Sequence, residues 1–231
     1  MFVWRGEALP GVSVAFTNSV AGNLALHVGD NAQDVGQRRV ALESAVGIVP
    51  RRFQFMNQVH GTDVAVLDSP PVQAPTADAL VSTVLPLAVM VADCIPVILV
   101  GEVQGGPAVL AAAHAGRPGL AAGVIPKTVS SMREAGAEHI SAWLGPSICG
   151  RCYEVPAAMQ AEVAHTVPGT ASETSWGTPA LDLPEGARRQ LLAHNVDVRY
   201  SGPCTLETPG LFSYRRDRQT GRFAGLVWAH G

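Results

Sequence analysis

Charged side chains are scarce in this chain: they make up 15% of its 231 residues, and the formal net charge is only −3. Without an excess of basic charge, neither nucleic acid nor an anionic membrane is expected as a partner. Cysteine is also rare, at four residues, too few for the disulfide framework of a secreted chain of this length. The start, Met1-Phe2-Val3-Trp4-Arg5-Gly6-Glu7, has no basic segment leading into an apolar signal core. The longest apolar stretch, Leu85 to Val100, is interrupted by Asp93 and two prolines, which makes it a poor membrane span. No internal repeat or low-complexity tract is present. A cytoplasmic location is the expectation that follows.

What the chain does have is apolar surface to bury. At 47% hydrophobic residues it is a globular sequence, and its length suits one core. Val12-Ser13-Val14-Ala15-Phe16 alternates as a strand does. Asn31 is placed to cap a helix over Ala32 to Ala45, with Val35, Leu42 and Val46 on one face. Short strands are predicted near Phe53–Phe55, Val64–Leu67, Ala79–Ser82, Leu87–Ala92, Ile95–Val100, Ala108–Ala113 and His139–Leu144. Leu120, Val124, Thr128 and Met132 recur every fourth residue, so a helix is predicted over Leu120 to Ala135, kinked or delayed by Pro126. Further helices fall at Ala157–His165, with Pro156 at its first turn, and at Leu183–His194. Val196–Tyr200 and Gly225–Trp228 read as late strands, and Pro168–Pro179 as a surface loop. Strands and helices intermix without a regular βαβ repeat, which predicts a mixed-sheet α/β sandwich in a single domain over residues 1–231.

Three potential metal ligands each fall where a strand-like run meets a loop. His60 closes Asn57-Gln58-Val59-His60-Gly61, Cys94 interrupts the apolar run from Leu87 to Ile98, and His114 ends Val109 to Ala113 before Ala115-Gly116. Two imidazoles and one thiolate suit a borderline-soft ion such as zinc, with copper the second candidate. Three protein ligands leave a fourth position open, as in a catalytic site. The same residues also admit a metal-free reading, with Cys94 as nucleophile and His114 or His60 as base. A blue-copper site would need a weak axial methionine; Met90 shares the face of Cys94 if the strand is regular. Seven histidines with no His-x-His pair are poor provision for a multicopper cluster.

Two other features compete for attention. Cys149-Gly150-Arg151-Cys152 has the spacing of a redox or metal-binding pair, but no second C-x-x-C accompanies it. It reads as structural or incidental thiols in the turn after Leu144-Gly145-Pro146. Tyr214-Arg215-Arg216-Asp217-Arg218 and Arg222 concentrate arginine near the C-terminus. Arginine forks there suit phosphate or carboxylate, although a solvated hairpin turning at Thr220-Gly221 reads equally well.

Taken together, the segments resemble one family, the bacterial YfiH-like or laccase-domain proteins, also called multicopper polyphenol oxidases. The resemblance rests on Leu26-His27-Val28-Gly29-Asp30, Asn57-Gln58-Val59-His60-Gly61, Ala77-Asp78-Ala79, Ala92-Asp93-Cys94-Ile95-Pro96 and His114-Ala115-Gly116. It continues through Gly145-Pro146-Ser147-Ile148, Cys152-Tyr153-Glu154-Val155 and Phe212 to Asp217, in order over nearly the whole chain. It implies a mixed-sheet α/β sandwich of the YfiH-like type, with His60, Cys94 and His114 as the metal site and catalytic centre. It also implies purine nucleoside and phosphate as partners: phosphorolysis of adenosine, inosine or methylthioadenosine, with some adenosine deamination. Under that reading Arg38 and Arg215 are candidates to contact phosphate. Asn23, Gln58 and Asp78 are candidates to contact the nucleoside or orient ligands, and a monomer or weak homodimer is expected. Two positions depart from the family pattern. Arg117-Pro118 stands where the family has Trp-Arg after His-Ala-Gly, and proline removes a backbone donor from that loop. Gln37-Arg38 replaces an Asn-Arg pair and keeps the cation.

Overall fold

The computed structural model describes residues 1–230. In chain order the strands are β1 (Phe2–Leu9), β2 (Val12–Thr17), β3 (Val64–Val66), β4 (Ala79–Ser82), β5 (Leu87–Val91), β6 (Ile95–Glu102), β7 (Val109–Ala115), β8 (His139–Leu144), β9 (Ala171–Glu173), β10 (Pro179–Leu181), β11 (Val196–Ser201) and β12 (Phe223–Ala229). The α-helices are α1 (Ala32–Val46), α2 (Arg117–Ala122), α3 (Val124–Glu134), α4 (Ala157–Thr166) and α5 (Leu183–Ala193).

Strand pleat distributes the apolar residues among three packed interfaces. One antiparallel sheet runs β1-β2-β12-β5, and a second, six-stranded sheet runs β11-β8-β6-β7-β4-β3. The second sheet is mixed, because its outer pairs β11–β8 and β3–β4 are parallel while the inner pairs are antiparallel. Alternate residues of one strand point to opposite faces, and the partition here is clean. Leu87, Val89 and Val91 of β5 join Phe223 and Val227 of β12 in the core between the sheets, where they meet Ile98, Val100 and Leu110. Ala88, Met90, Leu226 and Trp228 point the other way, onto Leu42 and Val46 of α1. In the second sheet Ile95, Val97 and Leu99 turn outward onto Leu120, Val129, Met132 and Leu191 of α2, α3 and α5. The order is therefore helix, sheet, sheet, helices: the mixed-sheet α/β sandwich expected from the sequence.

Local signals explain most boundaries. The Asn31 side chain accepts from Gln33 N at 2.8 Å and Asp34 N at 3.3 Å, satisfying amides that a helix start leaves free. Gly47, at φ 79°, closes the same helix in the left-handed region.

Four departures from expectation have physical reasons. The helix predicted over Leu120 to Ala135 is two helices, and the break is Gly123 at φ 92° rather than a kink at Pro126. Pro126 lies in the first turn of α3, where the missing N–H has no helical partner to lose. Phe53–Phe55 forms no strand, only a single bridge from Gln54 to Leu87. The stretch Pro168–Pro179 is not merely loop: β9 and the start of β10 pair there in a small hairpin. β1 was not foreseen because it is an edge strand, half-buried along much of its length and without regular alternation. Among the described residues no helix is long and apolar enough to cross a membrane.

Candidate active site and metal centre

Asp93 and Cys94 form the crossover that carries the chain from β5 in one sheet to β6 in the other. Asp93 adopts φ 86° there, a strained backbone for a non-glycine residue that surrounding contacts must hold. Its carboxylate accepts from Thr205 Oγ1 and from Arg215 N, each at 2.6 Å, and its carbonyl accepts from Ile148 N at 2.9 Å. Asp93 thus lies at a strand end and pins two loops beside Cys94.

His114 occupies the last turn of pleat on β7, on the same face as Leu110 and Ala112, so its ring enters the gap between the sheets. It is 3% exposed, and its Nδ1 lies 2.8 Å from Asp78 Oδ1. Asp78, fully buried, also accepts from Val59 N at 3.2 Å, His60 N at 2.9 Å and Gly61 N at 2.6 Å. These three amides wrap the loop around one carboxylate and place His60 at φ 60°. One buried side chain therefore positions two of the three ligand candidates. The carboxylate–imidazole contact leaves His114 Nε2 for the site, the arrangement commonly found behind metal-bound histidines.

The ligand atoms of His60, Cys94 and His114 all lie within 4.8 Å of one another. Cys94 Sγ is 3.6 Å from His60 Nε2, close to the separation of about 3.5 Å for sulfur and nitrogen on one tetrahedral zinc. The two rings meet edge to face, 4.6 Å between centroids. Burial opposes ionisation of Cys94, but the His114 and His60 imidazoles outweigh it and bring the thiol down to about 6. Burial likewise opposes charge on His114, yet Asp78 and Cys94 push it up to about 9. Without metal these values pair a Cys94 thiolate with a His114 imidazolium at neutral pH. A bound ion would displace that proton, and one thiolate with two imidazoles is then a donor set that fits zinc or another borderline-soft ion.

Gly116 keeps this geometry possible. A Cβ at that position would lie 2.5 Å from His60 Cδ2 and 3.2 Å from Cys94 Sγ. Its backbone, at φ −77° and ψ 166°, is open to alanine. Gly116→Ala is therefore expected to fold but to displace the His60 ring, weakening the affinity of the trio for an added divalent ion such as zinc about tenfold or more. Competition with a chromophoric chelator measures this; unchanged affinity would show that His60 does not need its present position.

The trio lines a cleft of about 820 Å³. A shallower groove of about 510 Å³, lined by Arg188, Asp197, Arg199 and Tyr200, contains none of the trio. The cleft is cationic beside the trio: Arg117, Arg215, Arg218 and Arg222 also line it, with Tyr153 and Tyr214. None of these four arginines forms a salt bridge among the described residues. Arg215 stacks 5.0 Å from the Tyr153 ring centroid and donates to Glu154 O. Arg117 and Pro118 begin α2 directly after His114-Ala115-Gly116, and Pro118 in the first turn forfeits no helical hydrogen bond.

The substrate-contact candidates divide. Arg215 and Gln58 line the cleft, but the Gln58 amide is committed to Met90, donating to its carbonyl at 2.7 Å and accepting its N–H at 3.0 Å. Asn23 and Arg38 are not among the cleft-lining residues. Asn23 is buried and bonded to Ala25, Asp30 and Arg222 N, while Arg38 pairs with Asp30. Met90 also lines the cleft, but it packs toward α1 and its sulfur accepts from Arg39 at 3.6 Å. His27, Arg117 and Tyr153 also line the cleft; they come from separate segments with no shared spacing, so only folding brings them together.

A family model for multi-copper polyphenol oxidoreductase laccase matches residues 8–230. The chain belongs to this family. Within it, a purine nucleoside phosphorylase of Streptomyces griseus is 52% identical over 214 residues, covering 89% of this chain and 86% of the relative. The purine nucleoside phosphorylase YfiH of Escherichia coli is 40% identical over 212 residues, covering 89% of this chain and 85% of the relative. Among solved structures, a Neisseria meningitidis protein superposes with a TM-score of 0.82 at 33% identity, covering 97% of this chain and 96% of its own. YlmD from Geobacillus stearothermophilus gives 0.84 at 29% identity with full coverage of both chains. The family's sandwich is therefore this chain's fold.

Proposed function

We propose that this chain is a purine nucleoside phosphorylase acting on adenosine, inosine or methylthioadenosine, with His60, Cys94 and His114 holding zinc. The observation that carries the reading is the cleft itself, which a Cys–His–His trio shares with arginines that lack carboxylate partners. The names of the relatives support the same substrate class. A divalent ion on the trio would supply a Lewis acid that polarises a phosphate or purine group.

The remaining work falls to the chain's own side chains. Phosphorolysis forms a bond from a phosphate oxygen to the ribose anomeric carbon and breaks that carbon's bond to the purine nitrogen; the purine leaves with the electron pair and takes a proton. Arg117, Arg215, Arg218 and Arg222 would attract and orient the phosphate dianion, since guanidinium forks match its oxygens. The exposed face of Tyr214, 48% accessible, offers a stacking surface for the base. Asp93 holds Arg215 through its backbone N–H, so the phosphate end and the Cys94 end of the cleft share one support. Minor adenosine deamination at the same cleft is a secondary expectation.

Adenine release from adenosine is expected to require inorganic phosphate and to yield ribose 1-phosphate in equal amount. Chromatography of reactions with and without phosphate measures both products. Release at an equal rate without phosphate would make the chain a hydrolase and overturn the proposal.

A further inference from the structure

Cys149-Gly150-Arg151-Cys152, read from sequence as structural or incidental thiols, does not stand alone in the fold. Cys204, 52 positions beyond Cys152 in the numbering, comes up against it: the sulfur of Cys204 accepts the Cys149 N–H at 3.4 Å. Glu207 joins them, with its Oε2 at 4.0 Å from Cys149 Sγ. The three sulfurs and this carboxylate all lie within 4.8 Å of one another, and all four cysteines of the chain are free thiols. Four ligands on one tetrahedral zinc stand about 3.8 Å apart when they are sulfurs bound at about 2.3 Å. We infer that Cys149, Cys152 and Cys204, with Glu207 as fourth ligand, form a second, structural zinc site distinct from the trio.

The backbone is shaped for such a site. Cys152 N and Tyr153 N both donate to Cys149 O at 3.0 Å, which folds C-x-x-C into the tight turn that brings two thiols to one side. Gly150 permits the turn to pack, since a Cβ there would lie 2.6 Å from Asp182 Cβ. The Cys204 segment is held in register by a parallel bridge to Ser147, with Thr205 N donating to Ser147 O at 3.1 Å. An odd number of thiols cannot all pair as disulfides, whereas three thiolates and a carboxylate complete a closed coordination shell.

The site would act as a cross-link between two loops. It joins the loop after β8 to the loop after β11, and both loops hold Asp93: Ile148 N donates to its carbonyl and Thr205 Oγ1 to its carboxylate. Asp93 in turn holds Arg215 N and precedes Cys94. The second ion would therefore stabilise the crossover from outside the cleft. It is closed, with four protein ligands, where the trio is open with three.

Metal analysis of the purified chain tests this independently of any reaction. Wild type is expected to carry about two zinc ions per chain, one at each site. Cys149→Ser with Cys204→Ser should lower this to about one and reduce the unfolding midpoint. The triple variant H60A, C94A and H114A should also retain about one. Cobalt titration of the metal-free wild-type chain covers the case of an unstable variant. The three-thiolate site should show roughly three times the thiolate-to-cobalt charge-transfer intensity of the one-thiolate site. A wild-type content of about one zinc that disappears with the trio would overturn the inference. So would a non-reduced chain two mass units lighter than its sequence, with a disulfide among these three cysteines.

Discussion

Cys94→Ser is expected to abolish zinc retention at the trio and lower phosphorolysis by at least about 10²-fold, more than the 10–100-fold that follows loss of an outer-shell partner. The cause is charge. The Cys94 thiol, brought down to about 6 by His114 and His60 against the pull of burial, is ionised at neutral pH, while a serine hydroxyl is not. Serine preserves the shape of the crossover, and Asp93 keeps its three partners, so the fold should survive. Zinc content and adenine release should fall together. If activity disappeared while zinc stayed, and chelators left the wild type active, Cys94 would instead be acting as a nucleophile.

Asp78→Asn should be the most damaging change at a residue that is neither one of the trio nor part of the cleft lining. The carboxylate accepts from three successive amides and from His114 Nδ1. Asparagine offers one acceptor oxygen and turns an N–H₂ toward donors. Breaking a buried charge pair on one side costs about 3–5 kcal/mol, or about 6–20 °C in unfolding midpoint for a chain of this size. Freed from Asp78, His114 can flip or tilt, and zinc affinity should drop about 10–100-fold. Burial raises the Asp78 carboxyl, but His114 and the loop amides outweigh it, and the group is held below its ordinary value of 3.8. Its contribution is accordingly present above that value and is lost as pH falls through the lower, folded value. Thermal unfolding of the two proteins, compared at pH 7 and at steps below pH 3.8, should show the gap between them shrinking as the acid end is approached. A variant with wild-type stability and zinc affinity would show that Asp78 does not organise the site.

The trio was legible because each ligand sits where periodicity breaks: a histidine ending an alanine-rich strand, a cysteine beside an acid inside an apolar run. Helix ends with polar caps were legible for the same local reason, as Asn31 and Gly47 illustrate. What could not be read was convergence. Cys204 meets Cys149 and Cys152 only after β11 has paired with β8. Arg117, Arg215, Arg218 and Arg222 line one cleft only after folding brings the start of α2 and the C-terminal segment to it. Arg38 shows the converse: a cation in a recognisable motif is paired with Asp30 instead. Edge strand β1 and the short β9–β10 hairpin carry too little alternation to stand out from loop.

The most direct test is turnover of adenosine with phosphate in ¹⁸O-enriched water, followed by mass analysis of the sugar and the purine. Phosphorolysis predicts ribose 1-phosphate without water-derived ¹⁸O, because the new oxygen–carbon bond comes from phosphate. Accumulation of ¹⁸O-ribose in its place would contradict the account and assign the cleft to hydrolysis.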